Sequence, residues 1–239
     1  MYPSLSDYGL IGDCHSAALI SRRGSIDWCC LPRFDSDSCF GRLLDWRQGG
    51  YFEIVPRGRF SVRREYLANS LMLATTYSAR RGSVRLIDFF AMRAGGREHP
   101  RRELVRVLEG IRGRLRLAVR IVPRLDFGQV KPWIYRTGSR AYVAAGGNTG
   151  LLISGDLKLS PDDDHGLTAE VELAAGERIH LAVQFVPPED LHRMPARAED
   201  RESLAAHFEE TLTWWRDWSG KLVYPQSAGA CVARSALWG

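Results

Sequence analysis

From about residue 9 to residue 187, the sequence is a succession of short segments that are apolar or alternate between apolar and polar residues. The segments include SAALIS, SIDWCCL, YFEIVP, FSVRREYL, LMLATTYSA, SVRLIDFFA, ELVRVLEGI, RLRLAVRIVP, RAYVAAG, GLLISGDL, LTAEVELAA and RIHLAVQFV. Several end at turns that contain glycine, such as Arg81-Gly82 and Ala175-Gly176. Many strands at short spacing favour an antiparallel sandwich or barrel over alternating βαβ units. We therefore predict a mainly β chain that folds as an antiparallel β-sandwich.

The segment RLRLAVRIV shows the period of a half-buried strand. Leu115, Leu117 and Val119 recur at every second position, and the arginines fall between them or at the ends of the segment. This alternation places the apolar side chains on one face of the strand. We expect the arginines to lie on a solvated face rather than to form a binding stripe.

The character of the sequence changes near Pro187-Pro188. Apolar residues then recur at helical spacing, at Leu204, Phe208, Leu212 and Trp215. This spacing predicts an amphipathic C-terminal helix that ends near Ser219-Gly220. We therefore divide the chain into an N-terminal β-sandwich domain (1–190), a helical linker (191–227) and the start of a further helix (228–239). Because that last helix is incomplete at the final residue, we expect the chain to stop where another domain begins.

Composition excludes several classes of function. With 239 residues, 45% of them hydrophobic, the chain can bury a sizeable core without disulfide bonds. The net charge is +5, but the basic residues are spread through the chain and interleaved with acids, which argues against a nucleic-acid binder. The apolar segments are too short for a membrane span, and no signal peptide is recognisable. These features predict a cytoplasmic protein with no membrane partner.

The cysteines and the acidic residues give no sign of a metal or another cofactor. The odd cysteine count and the adjacent pair Cys29-Cys30 favour reduced thiols. No Cys-x-x-Cys pair is present, so we expect no zinc site. The run Asp162-Asp163-Asp164-His165 offers oxygen ligands for a cation, but a solvated acidic turn is the simpler interpretation. We therefore predict neither a metal nor a cofactor.

The loop Pro32–Ser36 is the strongest candidate for a functional site. It brings together the Arg33 guanidinium, the Phe34 ring and the Asp35 carboxylate. A guanidinium donates paired hydrogen bonds, a carboxylate accepts them, and an aromatic ring can lie against the apolar face of a sugar. The alternative interpretation is architectural: Arg33 and Asp35 form a structural pair that fixes the loop, and Phe34 fills the core.

Residues on either side of this loop are further candidates. Asp13 and His15 would share one face of a strand, which suggests a hydrogen-bonded structural pair. Cys14 would then face away from His15, which argues against a cysteine–histidine dyad. Asp27 and Trp28 precede the loop, and Trp28 is either a core residue or a platform for a sugar ring.

The tryptophans of the predicted helix are candidates for an interface. Trp215 and Trp218 are expected to hold the helix against the sandwich or against a further domain. A sugar cradle formed by these rings is the less favoured alternative.

Four blocks of the sequence resemble the N-terminal region of the bacterial trehalase-like and glucoamylase-like members of glycoside hydrolase family 15. They are LIGDCHSAALISRRGSIDWCCLPRFDSDSCFGRLLD, RREYLANSLMLATTYSARRGSVRLIDFF, RELVRVLEGIRGRLRLAVRIVPRLDFGQVKPW, and WWRDWSG followed by VARSAL. They occur in the order of the family and cover nearly the whole chain.

The resemblance implies a supersandwich-like β-domain, a helical linker and then a catalytic barrel of paired helices. In such enzymes two glutamates of the barrel act as general acid and general base and release glucose from α-glucosides with inversion. Nothing in this sequence matches the positions of those glutamates, so the resemblance implies that this chain holds no catalytic residue. Its implied partners are the barrel and an α-glucoside such as trehalose or a maltooligosaccharide, and the Arg33–Asp35 loop is implied to lie near the mouth of the barrel.

Three other functions stay open at this stage. The chain is alternatively a free-standing carbohydrate-binding module, an enzyme with its own carboxylate pair, or a protein-interaction sandwich. In the last case we expect a homo-oligomer, formed through the face that would otherwise contact the barrel. The sequence does not decide which α-glucoside would be the substrate.

Overall fold

The computed structural model of the chain describes residues 2–67, 69–96, 98–193 and 201–221. The predicted second helical start at 228–239 lies outside the described residues. Within them the chain forms fifteen strands and one α-helix, so the prediction of a mainly β fold is confirmed. No helix among these residues is long and apolar enough to cross a membrane.

The bounds of the elements are as follows. The strands are β1 (Gly9–Gly12), β2 (Ala17–Ile20), β3 (Ser25–Cys30), β4 (Ser38–Phe40), β5 (Tyr51–Pro56), β6 (Ser61–Tyr66), β7 (Leu73–Ala79), β8 (Gly82–Phe90), β9 (Glu103–Val122), β10 (Trp133–Arg136), β11 (Ala141–Gly146), β12 (Thr149–Gly155), β13 (Ser160–Pro161), β14 (Leu167–Ala174) and β15 (Arg178–Val186). The helix α1 spans Arg201–Ser219, and short 3-10 turns occur at Leu5–Asp7, Asp126–Gly128 and Pro188–Arg193.

The strand pairings are antiparallel, and the long strand β9 takes part in both layers of the sandwich. Residues 103–113 of β9 pair with β8 and β15, whereas residues 114–122 pair with β5 and β14. The first layer contains β1–β5, β13, β14 and the second part of β9. The second layer contains β6–β8, β10–β12, β15 and the first part of β9.

Two glycines allow β9 to pass from one layer to the other. A Cβ atom on Gly110 would collide with the carbonyl oxygen of Ala174, and one on Gly113 would collide with that of Arg81. Gly113 also has a φ of +60°, which glycine adopts at little cost. The expectation of two separate strands, ELVRVLEGI and RLRLAVRIVP, was wrong because the backbone continues as one strand through these glycines.

The main hydrophobic core lies between the two layers. Its members include Ile20 and Phe52 from the first layer, and Tyr77 and Leu104 from the second, all essentially inaccessible to solvent. This interior confirms the predicted sandwich. The alternation predicted for RLRLAVRIV is also confirmed, because its leucines and Val119 are buried in the core and its arginines are exposed.

A completely buried ion pair crosses this core. Arg106 of β9 occupies an inward position between Leu104 and Leu108, and its Nε donates to Asp88 Oδ1 of β8 at 2.7 Å. The other guanidinium nitrogens donate to the carbonyl oxygens of Phe52 at 2.6 Å and Gly24 at 2.7 Å, both in the opposite layer. Burial raises the pKa of the Asp88 carboxyl, and the adjacent guanidinium opposes that rise. Arg106 therefore links the two layers through polar groups that water cannot reach.

The helix α1 covers the outer face of the second layer. Trp215 is 1% exposed and packs in a second hydrophobic cluster with Phe89, Val105 and Ala182. This cluster explains why β8 and the first part of β9 are apolar on both faces: one face meets the main core and the other meets the helix. The predicted amphipathic helix is thereby confirmed.

Polar contacts fix the position of the helix on this face. The Nδ1 atom of His207 lies 2.8 Å from Glu103 Oε2, and both side chains are buried. The hydroxyl of Thr211 accepts a hydrogen bond from the backbone N–H of Met92 at 2.9 Å. Because these contacts join α1 to Glu103 and Met92 of the second layer, they specify the register of the helix as well as its presence.

We predict that Arg106→Met lowers the free energy of unfolding by about 3–5 kcal/mol, because Asp88 keeps a buried charge without a partner. Urea unfolding of the chain measures this change. The double variant Arg106→Met/Asp88→Leu should recover part of the loss, because it leaves neither charge buried. The control is Arg63→Met, which removes an exposed ion pair with Glu65 and should change stability little. A loss for Arg106→Met no larger than that of the control would contradict the prediction.

We predict that Trp215→Ala lowers the free energy of unfolding by about 3–5 kcal/mol, because it leaves a cavity between α1 and the second layer. Hydrogen exchange should show the largest loss of protection in α1 and β8. Glu209→Ala is the matched control, since Glu209 is an exposed residue of the same helix. Equal effects of the two substitutions would show that the helix does not depend on this contact.

Candidate functional site

The loop between β3 and β4 presents three functional groups to solvent. Arg33 Nε donates to Asp35 Oδ1 at 2.8 Å, and Nη2 donates to Oδ2 at 3.0 Å, which is a bidentate pair. The side chains of Arg33 and Asp35 are 63% and 52% exposed, and Phe34 between them is 66% exposed. Phe34 therefore does not fill the core, although Arg33 and Asp35 do form the predicted pair.

The pair has a defined charge state. The hydrogen bond from Arg33 holds the pKa of Asp35 below its usual range, and the same hydrogen bond raises the pKa of Arg33. Asp35 is therefore an ionised acceptor at neutral pH and cannot serve as a general acid. The loop can bind hydroxyl groups through both partners, but it cannot deliver a proton.

The turn between β1 and β2 holds this loop in place. The Asp13 carboxylate accepts hydrogen bonds from the backbone N–H groups of His15, at 2.9 Å, and Ser16, at 2.6 Å. The Ser16 hydroxyl donates to the Pro32 carbonyl at 2.8 Å, and the Phe34 N–H donates to the His15 carbonyl at 2.7 Å. The loop is thus attached by hydrogen bonds to a turn that Asp13 stabilises from within.

The predicted strand through Asp13 and His15 is not present. β1 ends at Gly12, and Cys14 has a φ of 67°. The segment is therefore a turn, in which successive side chains do not alternate between two faces as they do in a strand. The Asp13 carboxylate bonds backbone amides, and the His15 ring lies 3.3 Å from the Asp13 carbonyl oxygen instead. Burial raises the pKa of Asp13.

Asp27 is the acceptor in a buried network behind the loop. Its carboxylate accepts from Tyr8 Oη at 2.8 Å, Ser25 Oγ at 2.6 Å and Arg42 Nε at 2.9 Å. The Arg42 guanidinium also lies over the ring of Tyr51, with 3.9 Å between its central carbon and the ring centroid. Burial, followed by the hydrogen bond to Asp27, raises the pKa of Tyr8.

Sequence reasoning missed the partners of Asp27. Arg42 and Tyr8 are 15 and 19 residues away from Asp27 in the chain, and no local periodicity connects them. The only available signal was that an aspartate within a buried strand requires a partner.

Trp28 lies on β3 beside a second aromatic residue. It is partly buried, and its ring is 6.3 Å from that of Phe127, with the planes inclined at 34°. Phe127 is exposed and belongs to three successive residues with positive φ, Asp126, Phe127 and Gly128. The structure thus places Trp28 in an aromatic pair at the surface of the first layer.

The predicted tryptophans of the helix do not join this site. Trp215 and Trp218 pack on the outer face of the second layer, whereas the Arg33–Asp35 loop belongs to the first layer. Trp218 stacks with Trp214, with 6.5 Å between the ring centroids. The structure therefore separates the candidates into a loop with its buried support and a helix-docking cluster.

The described residues offer no cluster of three or more His, Cys, Asp or Glu side chains that could hold a metal ion. Asp13, Asp27 and Asp88 are buried and engaged in hydrogen bonds, and Asp35 is paired with Arg33. The loop itself presents hydrogen-bonding groups at Arg33 and Asp35 and an aromatic face at Phe34.

Comparison with known proteins identifies relatives of the whole chain. The family described as "Trehalase-like, N-terminal" matches residues 3–208. The trehalase of Mycolicibacterium smegmatis is 28% identical over 258 residues, and that of Thermoplasma volcanium is 27% identical over 240 residues. "Trehalase 1" of Sulfolobus acidocaldarius is 33% identical over 129 residues, which cover 54% of this chain and 21% of that protein.

The alignments with the first two relatives cover 99% of this chain but only 37% of each relative. The chain thus spans little more than a third of the length of these trehalases. Because the family match extends through both layers of the sandwich and into α1, the chain belongs to the family of trehalase-like N-terminal domains.

Proposed function

We propose that this chain is the N-terminal β-sandwich domain of a trehalase-like α-glucoside hydrolase of glycoside hydrolase family 15. In this proposal the domain packs on a catalytic barrel and contributes the Arg33–Asp35 loop to the entrance of the active site. The reaction of the whole enzyme is the inverting hydrolysis of an α-glucoside, with release of glucose. Trehalose is the first candidate substrate because the relatives are named trehalases.

The single observation that carries the proposal is the exposed Arg33–Asp35 pair with Phe34 between its members. An isolated exposed ion pair contributes little to stability. The turn that Asp13 organises nevertheless holds the backbone of the loop that carries this pair, through hydrogen bonds to Pro32 and Phe34. Fixing donors and acceptors before a ligand arrives reduces the entropy lost on binding. The arrangement therefore suits recognition of hydroxyl groups better than it suits stabilisation of the sandwich.

The state of the carboxylates supports assigning catalysis to another part of the enzyme. Inverting hydrolysis needs two carboxyl groups about 6.5–9.5 Å apart, with an intervening water molecule. Asp13, Asp27 and Asp88 are buried and bonded within the sandwich, and Asp35 is held ionised by Arg33. None of these four is available as a general acid, which fits the proposal that the pair of glutamates lies in the barrel.

Exposed apolar residues support a docking role for the first layer. Leu44 and Trp46 lie in the segment between β4 and β5 and remain accessible, and Tyr2 contacts the Trp46 ring edge to face at 5.6 Å. The removal of such side chains from water favours association. This surface lies on the same layer as the Arg33–Asp35 loop, which fits a domain that meets the barrel beside its entrance.

The proposal predicts that the 239-residue chain alone releases no glucose from trehalose or maltose above a blank without protein. Glucose is measured with a coupled enzymatic assay after prolonged incubation, at several pH values. Glucose release that persists through purification and is lost in Asp35→Asn would contradict the assignment of catalysis to the barrel.

In a polypeptide that carries this chain together with its catalytic barrel, we predict that Arg33→Ala lowers kcat/KM by about 10- to 100-fold. The estimate corresponds to the loss of a hydrogen bond from a charged group to the substrate. Phe34→Ala should mainly raise KM, because the ring contacts the bound sugar in both ground and transition states.

The control for the loop variants is Arg63→Ala, which removes an exposed arginine from an ion pair in the second layer. It should leave kcat/KM unchanged. The thermal midpoints of all variants must stay close to that of the parent protein. Unchanged kinetics for Arg33→Ala, with intact stability, would refute a substrate-side role for the loop.

A further inference from the structure

A small cavity lies between the strand β10 and the turn that joins β13 to β14. Its volume is about 180 Å³, and its lining includes Trp133 and Ile134 on one side and Asp162, Asp163 and His165 on the other. The cavity shares no residue with the Arg33–Asp35 loop. It lies where the end of the second layer meets a turn of the first layer.

Trp133 is the most exposed of the tryptophans that the structure describes. It is 72% exposed on a strand that pairs with β11 and ends the second layer. Tyr135, two residues further along the strand, is also exposed and points to the same side. Leaving such large aromatic surfaces in water is unfavourable. Trp133 and Tyr135 therefore form an exposed aromatic strip that a bound ligand would remove from water.

The acidic turn opposite Trp133 is rigidly built. The Asp162 carboxylate accepts hydrogen bonds from the N–H groups of Asp164, at 3.0 Å, and Gly166, at 2.8 Å. The buried Arg124 donates to the Asp164 carbonyl at 2.7 Å and lies 2.9 Å from the Asp164 carboxylate. Lys131 Nζ lies 3.0 Å from the same carboxylate. Asp162 and Asp164 thus form hydrogen bonds and ion pairs that stabilise the turn.

Besides Asp162, the polar side chains that line the cavity are those of Asp163 and His165. The Nδ1 atom of His165 lies 3.1 Å from the Pro132 carbonyl oxygen. Because a carbonyl only accepts hydrogen bonds, Nδ1 is the donor in this contact, and Nε2 is the acceptor in the tautomer that is protonated at Nδ1. The Asp163 carboxylate, exposed and in no ion pair with another described residue, supplies further acceptor positions.

We propose that Trp133, Asp163 and His165 form a binding site for one pyranose ring of a neutral saccharide. The apolar face of the ring stacks on the indole, and its hydroxyl groups donate to the carboxylate and to Nε2. The cavity is smaller than the roughly 300 Å³ lower bound of ordinary small-molecule pockets, which suits a single ring. Tyr135 lies about 7 Å along the strand from Trp133 and can contact a second ring.

This inference goes beyond the proposed function, since it concerns a second surface and needs no catalytic barrel. The aromatic residues Trp133 and Tyr135, together with the Asp163 carboxylate, would also attract an organic cation, because cations bind over aromatic faces. Two features favour the neutral sugar. Lys131 and Arg124 place two positive charges at Asp164, between the lining residues Asp163 and His165, and the cavity presents one tryptophan rather than a cage of several rings.

The test is isothermal titration calorimetry on the 239-residue chain with maltose, maltoheptaose, trehalose and tetramethylammonium chloride. We expect at least one saccharide to bind with a dissociation constant of about 0.1–10 mM. Trp133→Ala should weaken that binding at least about tenfold, whereas Trp133→Phe should retain most of it. Asp163→Asn, a change at an exposed carboxylate, should weaken it about three- to tenfold through the loss of a charged acceptor.

Maltoheptaose separates the roles of the two aromatic residues. Tyr135→Ala should weaken the binding of maltoheptaose more than that of maltose, because a longer chain can reach both rings. The matched control is Tyr2→Ala, which removes an exposed aromatic residue from the first layer and should leave every dissociation constant unchanged. Near-ultraviolet circular dichroism and the thermal midpoint confirm that each variant is folded.

Several outcomes would overturn the inference. The first is the absence of heat from every saccharide at concentrations up to about 50 mM, which lies above the expected range of dissociation constants. The second is an equal affinity of the parent chain and Trp133→Ala for the saccharide. The third is binding of tetramethylammonium without binding of any saccharide. A Trp133→Ala variant that changes only the sedimentation coefficient of the chain would assign the strip to self-association instead. Activity of a barrel-containing enzyme does not enter these readouts, so failure here is distinguishable from failure of the proposed function.

Discussion

The buried guanidinium of Arg106 is the polar group that joins the two layers through the middle of the hydrophobic core. It satisfies Asp88 on the neighbouring strand and two backbone carbonyl groups in the opposite layer, at Phe52 and Gly24. A buried ion pair of this kind is weak support for stability as such, but the loss of one partner is costly. Since Gly24 immediately precedes β3, the hydrogen bond from Arg106 to its carbonyl group also fixes the start of β3, the strand that leads to the exposed loop.

From this contact outward, the loop is supported in successive steps. β3 carries Asp27, whose network with Arg42 fixes the segment that follows β4. β3 then ends just before Pro32, where the turn stabilised by Asp13 holds the loop through two hydrogen bonds. The exposed Arg33–Asp35 pair is therefore the outer end of a continuous polar framework. Recognition at a domain surface needs such support, because a ligand gains little from groups that it must first immobilise.

The sequence predicted those parts of the fold that depend on local periodicity. Alternation identified the strands, and the spacing of Leu204 and Trp215 identified the helix. The continuity of β9 was missed, because glycines that end many strands here allow one strand to change partners. The Arg106–Asp88 and Arg42–Asp27 pairs were also missed. Their members are 18 and 15 residues apart in the chain, and only the register of the strands brings them together.

The candidate loop was recognisable from its residue types, but its support was not. The Asp13–Ser16 turn was interpreted as a strand because its left-handed residue, Cys14, gives no glycine signal. We propose that the Arg33–Asp35 loop faces the substrate of a catalytic barrel. A crystal structure of a barrel-containing polypeptide with a bound α-glucoside tests it most directly. We expect hydrogen bonds from Arg33 or Asp35 to sugar hydroxyl groups; a loop that contacts only protein, or that faces away from the bound sugar, would refute the proposal.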